Sequence, residues 1–312
     1  MTKEEIIQGL KNGNTRSLSR AITLAESTIN EKRNLALEII EHFGPQANTF
    51  RIGITGTPGA GKSTFIESIG TELLKDKTRK VAVLSVDPSS GKTHGSILGD
   101  KTRMNTLSGH ERAYIRPTAS GSQLGGLAKN TRLAMLLCEA AGFNTILIES
   151  VGVGQGETEI AQLADLFTLV LNPGGGDELQ GIKRGIMEMA DIVVVNKADG
   201  DATNQAKLTA KEYSMALHLM PANESKWIPK VITASALENE GIDAFWQRAF
   251  DFEKLIIENG FKQVNRTNQM TYWATKSVHD LILAKLGNYS SEIAKGLAEG
   301  KLPESIAQEI VD

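Results

Sequence analysis

Apolar positions recur at helical spacing through the first forty residues: Leu18, Ala21, Ile22, Ala25 and Ile29, then Leu35, Ile39 and Ile40. That spacing predicts amphipathic helices between residues 3 and 43, and Gly44-Pro45 ends them. From Phe50 the texture changes. Seven short runs, at 50–56, 80–87, 113–117, 144–150, 166–172, 191–196 and 230–235, are rich in apolar and β-branched residues, most of them continuously so. Such runs suit parallel strands buried on both faces. The helical stretches between them imply crossovers, hence an α/β fold with a mostly parallel sheet flanked by helices. Beyond residue 262 the strands stop. Met270, Trp273, Ala274, Val278, Leu281 and Ile282 predict one long amphipathic helix, with two shorter ones at 289–298 and 303–311. The expected organisation is an N-terminal helical segment (1–45), an α/β domain (46–262) and a C-terminal helical arm (263–312).

Composition narrows the class without deciding it. The 312 residues are 40% hydrophobic and 23% charged, with a formal net charge of -3. This is ordinary globular composition, and nothing in it suggests a nucleic-acid partner. No apolar stretch approaches the roughly 20 residues that span a bilayer, and the first residues lack the apolar core of a signal peptide. A cytoplasmic protein with no membrane association is expected. The one cysteine, Cys138, lies in an apolar run and reads as a small buried hydrophobe.

Most of the chemistry-bearing residues fall just after the strand runs, where open α/β sheets bind ligands. Gly56-Thr57-Pro58-Gly59-Ala60-Gly61-Lys62-Ser63-Thr64 matches G-x-x-x-x-G-K-[ST] between a strand and a helix. The glycines let backbone N–H groups wrap phosphates, and the helix N-terminus adds a favourable dipole. Lys62 can reach the β- and γ-phosphates, and Ser63 can place its hydroxyl on Mg²⁺. Three acids are candidates for the metal side: Asp87 at the end of VAVLSVD, Asp100 in SILGDKTRM, and Glu149 at the end of NTILIES. Glu149-Ser150-Val151-Gly152 has the spacing of the D-x-x-G motif of GTPases, with Glu for Asp. Its acid can hold Mg²⁺ through water, and the Gly152 N–H can face the γ-phosphate. Lys62, Glu149 and Gly152 are therefore the candidate catalytic groups.

Asn196-Lys197-Ala198-Asp199 follows the strand run DIVVVN and reads N-K-x-D. The Asp199 carboxylate can accept from guanine N1–H and the N2 amino group, a donor pair that adenine lacks. Lys197 can lay its stem over the base. Ser235-Ala236-Leu237 follows the next strand run, and its backbone N–H groups can donate to guanine O6. N-K-x-D alone is a weak signal. Placed in this order after a phosphate loop and an E-x-x-G, it predicts a P-loop GTPase with GTP and GDP as ligands. Val153 occupies the position where Ras-type enzymes carry the glutamine that orients water, so slow hydrolysis is expected of the chain alone. Gln155 lies two residues on.

The segments VDPSS (86–90), GSILGDKTRM (95–104), YIRP (114–117), ESVGVGQ (149–155), GDELQGIKRG (176–185) and VVVNKADG (193–200) resemble the GTPase chaperones of adenosylcobalamin-dependent acyl-CoA mutases. These are called MeaB-type in bacteria, and some carry the label lysine/arginine/ornithine transport ATPase. The resemblance covers about residues 15 to 285. It implies a homodimer with a C-terminal dimerisation arm, and a partner mutase, best known as methylmalonyl-CoA mutase. The GTP state would gate loading of adenosylcobalamin and protect the mutase. It also implies metal roles for Ser63, Asp87, Asp100 and Glu149, and a nucleotide-reporting segment at 174–184 carrying Asp177 and Lys183. No role is assigned to Leu171-Asn172-Pro173 or to Gly156-Glu157.

Adenosylcobalamin itself is expected on the partner. The base-off cobalamin signature D-x-H-x-x-G surrounds none of His42, His94, His110, His218 and His279. Two other readings compete. A metallochaperone GTPase would be expected to carry a His-rich tract or CxxC, which this sequence lacks. An ATPase of basic amino-acid transport fits poorly with N-K-x-D.

Overall fold

The apolar runs fold as β1 (Phe50–Gly56), β2 (Val81–Asp87), β3 (Ala113–Ala119), β4 (Thr145–Glu149), β5 (Leu166–Leu171), β6 (Ile192–Val195) and β7 (Lys230–Thr233). The computed structural model describes residues 1–87, 104–119, 124–150, 157–174, 184–220, 223–286 and 289–311. The strands form one seven-stranded sheet, order β3-β2-β4-β1-β5-β6-β7, and every pairing is parallel. β1, β4, β5 and β6 are buried along their whole length, which is why their sequences run apolar without alternation. β3 is an edge strand, where Pro117 is tolerated, and it extends two residues past the expected run to pair Ala119 with Asp87.

Three helices, α1 (Lys3–Lys11), α2 (Thr15–Ala25) and α3 (Asn30–Phe43), precede the sheet. Between and after the strands come α4 (Lys62–Leu73), α5 (Asn105–Ser108), α6 (Leu124–Ala140), α7 (Glu157–Ala161), α8 (Arg184–Met189), α9 (Thr203–His218) and α10 (Ile242–Glu258). Last are α11 (Phe261–Leu286), α12 (Ser290–Ala298) and α13 (Pro303–Val311). The chain divides into two compact units, Met1–Lys262 and Gln263–Asp312. In the first, α2 buries Leu18, Ala21, Ile22 and Ala25, and α2 and α3 pack on α6. Ile29 departs from the expected helical face. The chain leaves α2 at Glu26, so Ile29 becomes the N-cap of α3 and stays exposed.

Both faces of the sheet are covered. On one, Phe65, Ile66 and Ile69 of α4 and Phe245, Trp246 and Phe252 of α10 meet Ile52, Ile54, Val83, Leu147 and Val170. On the other, Met187, Tyr213 and Leu217 meet Leu169, Leu171 and Val193. Successive β5 residues thus serve opposite cores, as the two-residue period of a strand requires. In the second unit Ile306 is buried and Gly296 lies against it, since a Cβ there would sit 2.6 Å from Ile306 Cγ1. Met270, Val278, Leu281 and Ile282 of α11 are exposed in the single chain.

Polar groups stitch the sheet at its N-terminal edge, away from the phosphate loop. Asp165 and Asp191 directly precede β5 and β6. Asp165 accepts the Arg51 N–H (2.9 Å) and Asp191 the Phe167 N–H (2.8 Å). Arg51 also reaches α6. Its Nε donates to Glu139 Oε1 (2.6 Å) and its second guanidinium nitrogen to Oε2 (2.9 Å), while Thr49 Oγ1 donates to Oε1 (2.7 Å). The Glu139 side chain is fully buried. Removing one member of such a pair leaves an uncompensated buried charge. Glu139→Ala is expected to cost about 3–5 kcal/mol of unfolding free energy, read by urea denaturation. A loss below about 1 kcal/mol, the worth of an exposed pair, would show that this bidentate bridge does not hold α6 to the sheet.

Candidate nucleotide site

The phosphate loop begins where β1 ends. Gly56 has φ 151°, and a Cβ there would lie 1.9 Å from the Val170 carbonyl oxygen. Only glycine lets the loop leave the sheet this close to β5. The loop closes on itself through Ala60 N–H to the Thr57 carbonyl (3.2 Å). Gly61 then caps α4 in the left-handed region, φ 82°, and a Cβ on it would meet Asn196 Nδ2 at 2.7 Å. The first turn of α4 contains no acidic residue and no side-chain cap. The helix thus brings no acid of its own to its positive end, which suits an anion.

Lys62 is buried at 8% exposure. Its Nζ curls back over the loop and donates to the carbonyls of Gly56 (2.9 Å) and Thr57 (3.1 Å). The ammonium is thereby held at the mouth of the loop. Ser63 Oγ donates to Glu149 Oε1 (2.8 Å), and Ser85 Oγ on β2 donates to Oε2 (3.2 Å). A hydroxyl and a carboxylate converge here, both hard oxygen donors of the kind Mg²⁺ prefers. Among the described residues no group of three His, Cys, Asp or Glu is placed to hold a metal. A Mg²⁺ site completed by phosphates and water needs only one or two carboxylates, so the donor set fits that ion.

The base side is built on the ends of β6 and β7. Asn196 is 1% exposed. Its Nδ2 donates to the Ala60 carbonyl (2.8 Å) and its Oδ1 accepts the Ala236 N–H (3.0 Å). Its own N–H donates to the Leu171 carbonyl (2.8 Å). Lys197 takes a positive φ of 57°, and its Nζ donates to the Gly59 carbonyl (2.6 Å). The lysine stem thus runs from the base loop to the phosphate loop. Ser235 Oγ donates to Asp199 Oδ2 (2.5 Å) and accepts the Glu238 N–H (3.2 Å). A reciprocal backbone pair between Ser235 and Glu240 (3.0 Å each way) fixes this turn. The second carboxylate oxygen of Asp199 keeps its acceptor capacity for a ligand. Ser68 on α4 donates to the Ala236 carbonyl (2.6 Å), tying the phosphate-loop helix to the same turn.

Residues 18–290 match the family model described as methylmalonyl Co-A mutase-associated GTPase MeaB. The chain belongs to this family. It is 45% identical over 286 residues to the GTPase ArgK of Escherichia coli K12, covering 91% of this chain and 86% of that one. It is 39% identical over 323 residues to the mitochondrial methylmalonic aciduria type A homolog of Caenorhabditis elegans, covering 98% and 81%. The crystal structure of a LAO/AO transport system kinase superposes with a TM-score of 0.81 at 35% identity, covering 99% of this chain and 96% of that chain. This MeaB-family chain is thus a P-loop GTPase in fold and in enzyme class.

The structure gathers Gly56 through Thr64, Glu149, Asn196, Lys197, Asp199, Ser235 and Ala236 of the MeaB-family chain at the C-terminal ends of β1, β4, β6 and β7. Leu237 lies in the same turn with its side chain exposed. Asp87 closes β2, and its side chain lies outside what is described. Asp100, Gly152, Val153, Gln155, Asp177 and Lys183 also lie outside the described residues. Two hydroxyls that touch the site, Ser68 and Ser85, escape sequence reasoning. Each sits inside a helix or strand with no motif around it, and only strand register or helix packing shows its target.

Asp199, with one carboxylate oxygen held by Ser235, is the candidate group for base selectivity. Asp199→Asn keeps an oxygen for the Ser235 hydroxyl and offers an amide to the base. GTP affinity should fall on the order of 100-fold, the worth of two charge-assisted hydrogen bonds. Xanthosine triphosphate, which has an acceptor where guanine has a donor, should become the better ligand. Titration calorimetry with both nucleotides checks it. A mutant that prefers GTP by the wild-type margin would remove Asp199 from base reading.

Proposed function

We propose that the chain is a Mg²⁺-dependent GTP switch that chaperones an adenosylcobalamin-dependent acyl-CoA mutase, with methylmalonyl-CoA mutase as the partner. The GTP state gates loading of the cofactor onto the mutase and protects the loaded enzyme. The observation that carries this reading is the junction at Asn196, which locks the phosphate and base loops together. The family match over residues 18–290 supplies the partner class.

The roles are those that the motifs imply. Gly56 through Thr64 bind the phosphates, with Lys62 neutralising charge on the transferring group. Asn196, Lys197, Asp199 and the Ser235-Ala236-Leu237 turn bind guanine. Ser63 and Glu149, joined by Asp87 and Asp100, are the residues that would hold Mg²⁺, which supplies charge stabilisation at the phosphates when bound. The Gly152 N–H would donate to the γ-phosphate. Adenosylcobalamin stays on the partner. The exposed apolar positions of α11 support a homodimer through the 263–312 arm. Asp177 and Lys183 carry the nucleotide state to the mutase.

With Val153 after the E-x-x-G, no glutamine side chain stands where Ras-type enzymes orient water. The isolated chain should hydrolyse GTP slowly, and the mutase should accelerate it by completing the site. Arginine supplied in trans is worth roughly 10³–10⁵ in other GTPases, which bounds the effect. The test is GTP turnover with and without purified mutase, for wild type and for Lys183→Ala. Acceleration in wild type and its loss in Lys183→Ala are expected. Fast hydrolysis by the chain alone with no response to the mutase would contradict the proposal, and a normal response in Lys183→Ala would clear that residue of the switch.

A further inference from the structure

The acid on the metal side of the site is held at both oxygens. Ser63 Oγ donates to Glu149 Oε1 at 2.8 Å, and Ser85 Oγ to Oε2 at 3.2 Å. Ser63 belongs to the phosphate-loop motif. Ser85 belongs to no motif, and nothing in the function described so far uses it.

Its position follows from strand register. Ser85 on β2 and Glu149 on β4 are direct partners, and Ile54 of β1 is the partner of Glu149 on the other side. Partners at one level of a parallel sheet present their side chains to the same face. Of these two neighbours only Ser85 carries a hydroxyl. Ser85 is 4% exposed and Glu149 9%, so their hydrogen bond is shielded from competing water.

The two bonds are not equivalent. The terminal torsion of a glutamate is soft and roughly two-fold. A carboxylate anchored at one oxygen swings about that torsion, while one anchored at both is fixed. Ser63 carries two demands: an oxygen lone pair would hold the metal ion, while its one proton goes to Oε1. Ser85 lies in the sheet rather than in the loop, and its bond to Oε2 does not have to break.

We infer that Ser85 is a positioning residue for the GTPase reaction: it fixes Oε2 of Glu149, so that the carboxylate keeps the orientation that serves Mg²⁺ when the Ser63 oxygen takes the ion. This rests on the reading of Glu149 as a metal-side acid. Ser85 touches neither nucleotide nor metal, and its contribution is to metal affinity. Nucleotide affinity without metal is independent of it.

The experiment measures release of fluorescent N-methylanthraniloyl-GDP from the whole chain over a Mg²⁺ series, with EDTA as the baseline. Ser85→Ala removes the donor. Ser85→Cys keeps nearly the volume but donates poorly. Thermal unfolding checks that both fold, and should Ser85→Ala not fold, Ser85→Cys alone decides. Both variants should need about three- to tenfold more Mg²⁺ for half-maximal slowing of release, the span of one ordinary intramolecular hydrogen bond. Their release rates in EDTA should match wild type. A wild-type Mg²⁺ response in the variants overturns the inference. So does a shift in Ser85→Ala with none in Ser85→Cys, which would mean that Ser85 only fills space. Glu149→Gln separates the two readings. If it too keeps the wild-type Mg²⁺ response, the metal role of Glu149 falls and the inference with it. If it shifts and the Ser85 variants do not, only the Ser85 role is lost.

Discussion

The carboxamide of Asn196 joins the two halves of the nucleotide site. One nitrogen reaches the Ala60 carbonyl of the phosphate loop, and one oxygen takes the Ala236 N–H of the turn after β7. The residue's own backbone is bonded to the end of β5. The side chain is buried at 1% exposure, so leaving either end unpaired costs about 1–3 kcal/mol. The same contact explains why Gly61 has no room for a Cβ. Lys197 and Ser68 add parallel ties from the base side to the loop and from α4 to the turn. Loops from three strands thereby become one preorganised surface, which lowers the ordering cost when nucleotide binds.

That surface depends on a sheet whose strands cannot slip. Buried apolar strands give cohesion but say little about register. Register at the N-terminal edge comes from polar anchors: Asp165 on the Arg51 N–H, Asp191 on the Phe167 N–H, and the Arg51–Glu139 bridge to α6. These contacts fix β1, β5 and β6 relative to one another. Glu149 faces Ser63 across one hydrogen bond. A one-residue slip of β4 would turn Glu149 to the other face of the sheet. At the far edge β4 has its own tie, the Asn144 Oδ1 just before it accepting the Lys80 N–H before β2 (3.0 Å).

Much of this was legible in the sequence because the motifs are local. A phosphate loop needs nine consecutive residues between a strand and a helix, and the backbone does the binding. N-K-x-D needs four residues at a strand end. The continuous apolar runs gave seven strands and their parallel arrangement. What stayed illegible depends on residues far apart in the chain. Ser85 meets Glu149 only because β2 and β4 are neighbours in a given register. Ser68 meets Ala236 only because α4 packs beside the turn after β7. Arg51 and Glu139 lie 88 residues apart, and only the fold brings them together. Ile29 was misjudged for the opposite reason: its helical spacing was real, but the chain breaks at Glu26 and restarts at Asn30, and periodicity does not register a break that short.

Asn196→Ala tests the clamp most directly, by GTP affinity in calorimetry together with single-turnover hydrolysis at saturating GTP. If the amide holds the phosphate loop as well as the base turn, both should fall, and hydrolysis should stay slow however much GTP is added. Weaker binding with wild-type hydrolysis at saturation would mean that the phosphate loop keeps its shape without Asn196, and that the two halves of the site are independent.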